Sequence, residues 1–384
     1  MQFEPPGIRA SVDLRLLKAV CAHAAVVLLP PNPKELCPMK HRLRPSSLAL
    51  LALMAVAAPA APAYASPAGT SALLVGAFPA PPMGGGPGKM AVVRWPGNAA
   101  HVLNFGQAGT PNGNSFFVGV NAQDHQVFIP SLAGTTYVID LRTGKPVRQF
   151  KSIPGGRVAV VSPDHRLVFV LAGKALAAYS TRDDALRYEI PVGGNALAFN
   201  ADASHLYVGG NMDTAIADID PSTGHILRRI PIGHSGDLVW ARGLLFSADI
   251  QSGVMSAFNP VTNAIFSMPT AEVDPHFAYA KIPAATAGFM QLAVSPDQSS
   301  VYAAGFSGHI LRFSTTGPRY LDEVKVAVGK AGPDKLSGLA VLPHGAEAIT
   351  TIENRHESVV VDLRNGQVLQ RLPGIASNRW VLTR

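Results

Sequence analysis

One short phrase recurs along this chain. Val138-Ile139-Asp140-Leu141-Arg142-Thr143-Gly144-Lys145, Ala217-Asp218-Ile219-Asp220-Pro221-Ser222-Thr223-Gly224 and Val360-Val361-Asp362-Leu363-Arg364-Asn365-Gly366 align on Asp140, Asp220 and Asp362, and Phe258-Asn259-Pro260-Val261-Thr262-Asn263 is a worn copy. Asp140 and Asp220 stand 80 residues apart, two units of 40, and Asn259 follows 39 later. Self-similarity at such a period belongs to solenoids, propellers and arrays. A second phrase keeps the same beat: Ser162-Pro163-Asp164, Asn200-Ala201-Asp202, Ser295-Pro296-Asp297 and Leu342-Pro343-His344-Gly345, each between two apolar runs.

The turn chemistry decides between these architectures. Pro at the second turn position fixes φ near −65°, while Asp, Asn and Gly accept the tight conformations that reverse a chain. Each unit therefore reads as strand a, an S-P-D turn, strand b, a Gly-rich turn, strand c ending in I-D, a T-G turn, and strand d. Strand d closes on Ile190-Pro191-Val192-Gly193, Ile230-Pro231-Ile232-Gly233 or Val326-Ala327-Val328-Gly329. Four antiparallel strands per unit, repeated radially, make a propeller. The 3.6-residue period of a helical solenoid is not seen within the units.

The pattern resembles the YVTN-repeat β-propellers over roughly residues 116–374, although the Asn of Y-V-x-N is replaced in Tyr207-Val208-Gly209-Gly210. The resemblance implies a fold and little about activity. Units fall at 116–153, 155–193, 194–233, 234–274, 287–329 and 335–374. A strand at Arg379–Leu382 and three near 72–78, 89–95 and 101–105 supply one more blade. The expected fold is all-β, a seven-bladed propeller closed by pairing of N- and C-terminal strands, which removes the exposed sheet edge.

Met39 opens a leader: Lys40, His41, Arg42 and Arg44, an apolar run Leu48–Ala58 of 11 residues, then Ala63-Tyr64-Ala65. A positive region, a short apolar region and an A-x-A site together read as a secretory signal, and a membrane span needs about 20 apolar residues. The expected organisation is an over-extended gene start at 1–38, a signal peptide at 39–65 and one propeller domain at 66–384, periplasmic or secreted, with no membrane span in the mature chain. Cys21 and Cys37 both precede Met39. A mature chain without cysteine excludes disulfides, zinc–sulfur sites and C-x-x-C-H haem attachment.

The net charge of +7 suggests nucleic acid until it is located. Residues 1–65 hold seven Lys/Arg and three Asp/Glu, leaving 25 against 22 in the remainder, with no basic stripe. A nucleic-acid partner is not expected. Trp95, Trp240 and Trp380 fall within strands and read as packing. No cofactor is called for, and a monomer is expected.

Binding residues usually sit on loops held by a rigid scaffold. The d–a linkers feed the innermost strands and carry Asn114, Arg157, Asn195, His234 with Asp237, Lys330 with Asp334 and Lys335, and Asn378 with Arg379. One linker is long: Glu272-Val273-Asp274-Pro275-His276-Phe277-Ala278-Tyr279-Ala280-Lys281 continues to Thr286. It is either a surface insertion packed by Phe277 and Tyr279 or a functional loop. The expected ligand site is Arg157, Asn195, His234, Asp237, His276, Lys335 and Arg379, suited by charge-assisted hydrogen bonds to a small anionic or polyhydroxylated ligand, or to a periplasmic protein.

Several alternatives stand beside this binding reading. His234 and His276 with Asp237 or Asp274 could ligate a metal, but without H-x-H or H-E-x-x-H spacing. The Gly-rich stretch Pro81–Lys89 fails as a phosphate loop, because Met83 and Met90 occupy required Gly and Ser/Thr places. There is no G-x-S-x-G elbow, and Gly233-His234-Ser235-Gly236 and Gly305-Phe306-Ser307-Gly308 fall short of it. A lactonase-like hydrolase or an accessory of quinone-linked oxidation is the competing class. Asp140, Asp220 and Asp362 read as turn residues, and His165, His205, His225 and His344 as solvated on the opposite face.

Overall fold

Short apolar strands punctuated by Asp, Pro and Gly build the whole structure, a computed structural model that describes residues 71–78, 88–97, 100–105, 115, 117–278, 281, 284–326 and 334–383. The leader, residues 1–38, both cysteines, Asn114, Lys330, Tyr279 and the glycine-rich stretch 81–87 lie outside the described residues. The described residues form seven antiparallel sheets of four strands each. Blades 2 to 7 begin with innermost strands Gly119–Asn121, Val158–Val161, Ala196–Phe199, Ser235–Ala241, Phe289–Val294 and Leu336–Val341. These inner strands touch their neighbours around the ring.

Blade 1 closes the circle. Its innermost strand is the C-terminal Trp380–Thr383, followed outward by Ala72–Phe78, Gly88–Trp95 and Ala100–Phe105. Leu73 pairs with Thr383 and Gly76 with Trp380. The expected seven blades and their closure are both observed.

The core lies between blades rather than within them. Phe169, Leu171 and Leu176 of blade 3 meet Leu197, Leu206 and Val208 of blade 4. Strands covered on both faces become continuous apolar runs, as Leu167–Leu171 does, whereas the outer strand Leu186–Ile190 is largely exposed.

The recurring Asp holds the c–d turn. Asp140 Oδ1 accepts the N–H groups of Arg142 at 2.8 Å and Thr143 at 2.9 Å. The Arg142 guanidinium and the Thr143 N–H hold its carboxyl well below the usual carboxylate range. In the worn copy, Asn259 Oδ1 accepts from Val261 N at 2.9 Å and Thr262 N at 3.2 Å, so the amide replaces the carboxylate.

Each c–d turn closes on a residue of positive φ, among them Gly144, Asp184, Gly224, Asn263, Gly317 and Gly366, and the preceding blade exploits it. Where it is Gly, the neighbour fills the space a side chain would need: a Cβ on Gly224 would lie 2.7 Å from the Tyr188 ring, and one on Gly366 only 1.9 Å from the Lys325 carbonyl oxygen. Where it is Asp184 or Asn263, an arginine of the preceding blade grips it. Arg148 Nε donates to Asp184 at 2.8 Å and Arg228 Nη1 to Asn263 at 2.9 Å. Between blades 5 and 6 the pattern lapses. Phe266, paired with Ala257, stands where Arg148, Tyr188 and Arg228 stand in earlier blades, and a Cβ on Gly317 would meet only Arg319, at 3.8 Å.

This difference gives an expected result. Gly366→Ala adds a steric clash to the backbone cost and should destabilise by about 3 kcal/mol or more, against roughly 1–2 kcal/mol for Gly317→Ala from the left-handed conformation alone. Urea denaturation of the two variants checks it, and equal losses would contradict this packing of blade against blade.

One expectation on the opposite face is corrected. His205 is half-buried, with Nδ1 2.7 Å from Oδ1 of the fully buried Asp218, which also accepts from Arg228 Nε at 2.7 Å. The strand pairing of Tyr207 with Asp218 brings the imidazole over the carboxylate. His225 and His344 are exposed as expected, and His165 is half-buried.

Candidate functional site: the d–a face and the channel

In an antiparallel blade the d–a linkers and b–c turns share one face. The seven residues picked from the sequence all belong to this end of the ring, but the structure divides them between the channel and the rim.

Asp237, Arg379 and Asn195 meet in the channel. Arg379, 4% exposed, projects from blade 1 to blade 5, where its Nη1 pairs with Oδ1 of Asp237 and its Nη2 donates to the Gly236 carbonyl at 2.8 Å. Asn195 Nδ2 donates to the same carbonyl at 2.8 Å, and its Oδ1 accepts from Asn211 N at 2.8 Å. Asp237 Oδ2 accepts the Leu292 N–H of blade 6 at 2.8 Å. Burial pushes the Asp237 carboxyl up, against the pull of Arg379. The guanidinium also lies 5.8 Å from the Phe117 ring centroid.

Gln291 completes this brace and was not singled out from the sequence. Its Oε1 accepts from Leu339 N at 2.7 Å and Trp380 N at 2.8 Å, and its Nε2 donates to the Trp380 carbonyl at 2.8 Å. One amide thus ties blades 6, 7 and 1. The cavity lined by Phe117, Asn195, Asp237, Gln291 and Arg379 measures about 40 Å³. That is room for water, whereas organic ligands occupy roughly 300–1,000 Å³.

The other four residues stand around the rim. Arg157 and His276 are exposed, and His234 is half-buried with Nδ1 2.9 Å from the Asn211 carbonyl. Lys335 is 7% exposed, with Nζ 3.7 Å from Glu353 Oε2 and 4.0 Å from the Phe306 ring centroid. Burial lowers the Lys335 ammonium and raises the Glu353 carboxyl. Beside them Arg355 Nε donates to Asp334 at 2.5 Å. Among the described residues no three His, Cys, Asp or Glu side chains gather as a metal site.

The long linker is anchored at its base and packed from beneath. Asp274 Oδ1 accepts His276 N at 2.8 Å and Oδ2 accepts Thr286 N at 2.9 Å, so one carboxylate pins both ends. Phe277 packs on Ile250, Ala285 and Phe306. Glu272, 2% exposed, accepts from Gly288 N at 3.0 Å and from the hydroxyl of Ser307 in blade 6. The linker thus fastens blade 5 to blade 6 on the face opposite the lapsed clasp. Gln291 escaped sequence reading because it lies outside the repeated phrases, and no spacing connects Glu272 of the linker with Ser307 of Gly305-Phe306-Ser307-Gly308, 35 residues on.

Neither a known family model nor a curated protein matches this sequence. Solved structures do resemble it. A chain of Kuenenia stuttgartiensis hydrazine synthase aligns with a TM-score of 0.59 at 13% identity, covering 69% of this chain and 88% of that one. The WD40 repeats of RRP9 align at 0.58 and 12%, covering 69% and 82%, and U3-55K at 0.57 and 12%, covering 69% and 83%. At these identities the likeness is one of fold, a WD40-like propeller.

Proposed function

We propose that this chain is an exported YVTN-repeat propeller serving as a binding or scaffolding module. Its d–a rim engages a small anionic or polyhydroxylated ligand or a periplasmic protein. The observation that carries this reading is the braced channel: Arg379 and Asp237 pair with each other in the lining of a cavity of about 40 Å³, so recognition falls to the rim. There the 272–286 linker is held by Asp274 and Phe277 and presents His276 to solvent. A loop fixed before binding loses little entropy on binding. The leader read from Met39 to Ala65 and the repeat phrases support export and the YVTN kinship.

The test is a thermal-shift panel of organic anions, uronic acids and sugar phosphates on the full chain. At least one class should raise the melting temperature. His276→Ala or Arg157→Ala should weaken that binding about tenfold, the loss of a charge-assisted contact of roughly 1.5–3 kcal/mol. His225→Ala, on the opposite face, should change nothing. Equal loss from both faces, or an effect of neither rim variant, would contradict the placement.

A further inference from the structure

Glu272, Ser307 and His309 form a hydrogen-bonded line that the binding reading does not use. Ser307 Oγ donates to Glu272 and lies 2.8 Å from His309 Nδ1. A hydroxyl has one proton, and Glu272 receives it. His309 must therefore present an N–H to the same oxygen. Glu272 is buried and also accepts the Gly288 N–H, whereas Ser307, in a b–c turn on the d–a face, and His309, which opens the following strand, are half-buried.

A carboxylate removed from water is a stronger base than one in water. Burial pushes Glu272 up, with the Ser307 hydroxyl and two backbone N–H groups pulling the other way. Anchoring of the linker accounts for the backbone bonds to Glu272. It does not require an imidazole on the serine oxygen.

We propose that Ser307 is an acyl-accepting nucleophile for carboxylic esters, with Glu272 as its general base and His309 orienting Oγ. The Ser307 Oγ–acyl carbon bond forms and the acyl carbon–alkoxy bond breaks. The serine proton passes to Glu272 and from it to the departing alkoxide, which leaves as alcohol. Water then adds to the acyl-serine, its proton moves through Glu272 to Oγ, and the carboxylic acid is released. No redox partner or metal enters this balance. The proposal is independent of the binding reading.

The experiment uses the full chain with a fluorophosphonate, read by intact mass and peptide mapping, and p-nitrophenyl acetate, read by nitrophenolate release. The expected result is one adduct, on Ser307, absent in Ser307→Ala together with most of the ester hydrolysis. Glu272→Gln should slow labelling about 100-fold or more, the range of general-base catalysis. The wild-type rate should rise with pH as Glu272 loses its proton. Should Glu272→Gln fail to fold, Ser307→Ala and His309→Gln, both at half-buried positions, carry the test by their own loss of labelling at an unchanged melting temperature. No adduct on the folded protein, an adduct on another serine, or undiminished hydrolysis by Ser307→Ala overturns the proposal.

Discussion

Deletion of residues 378–384 should abolish the cooperative unfolding of the whole ring rather than fray one end. The lost segment is the innermost strand of blade 1, paired with Leu73–Gly76. It carries Trp380, 2% exposed, packed on Leu74, Ala340 and Leu372 with its Nε1 donating to Thr351 Oγ1 at 3.0 Å. Emptying a core site of that size costs about 3–5 kcal/mol, and each buried ladder group left unpaired about 1–3 more. Against a total stability of roughly 5–15 kcal/mol, little is left. Circular dichroism melting checks this, and a truncated chain that melts like the full one would contradict closure through these residues.

Breaking the channel brace should have the next largest effect. Arg379→Ala leaves Asp237 buried among apolar neighbours without its cation, a loss of about 3–5 kcal/mol. The double variant Asp237→Leu/Arg379→Met removes both charges and should recover much of that stability, since an apolar pair avoids the desolvation of either ion. The pH dependence has a definite sign. Burial already raises the Asp237 carboxyl above its ordinary value, and loss of Arg379 raises it further. A folded-state pKa above the unfolded value means that the folded state binds the proton more tightly. The Arg379→Ala variant should therefore gain stability as pH falls from neutral toward about 4, and lose it as pH rises through the folded-state value. Urea denaturation at pH 7.5 and pH 5 checks this. A deficit unchanged between them, or a double variant no better than the single, would contradict the buried pair.

Much of the ring is legible in the residues because its signals are local. Asp140 caps its own turn within three residues, and Ser162 Oγ donates to Asp164 two positions on, at 2.6 Å. Such bonds repeat with the period of the blade. Even the ring closure can be counted from strands left over at the two ends. The candidate site is less legible because its bonds are long in sequence. Gln291 binds Trp380 across 89 residues, and Arg379 reaches Gly236 across 143. No spacing encodes them. Asn195, Asp237 and Arg379 could be assigned to the d–a end from register alone. That they face one another inside the channel, while Arg157 and His276 face outward, depends on ring curvature that only the assembled blades possess. His205 failed for a related reason: its partner Asp218 sits one strand away, at a position the repeat phrase gives no special weight.

A ligand-bound structure of the protein isolated from cells tests the division between braced channel and working rim most directly. Density should lie over the d–a rim, beside His276 or Arg157, with the Arg379–Asp237 pair unbroken beneath it. A ligand threaded into the channel with Arg379 drawn away from Asp237, or density confined to the face that carries His225 and His344, would contradict that division.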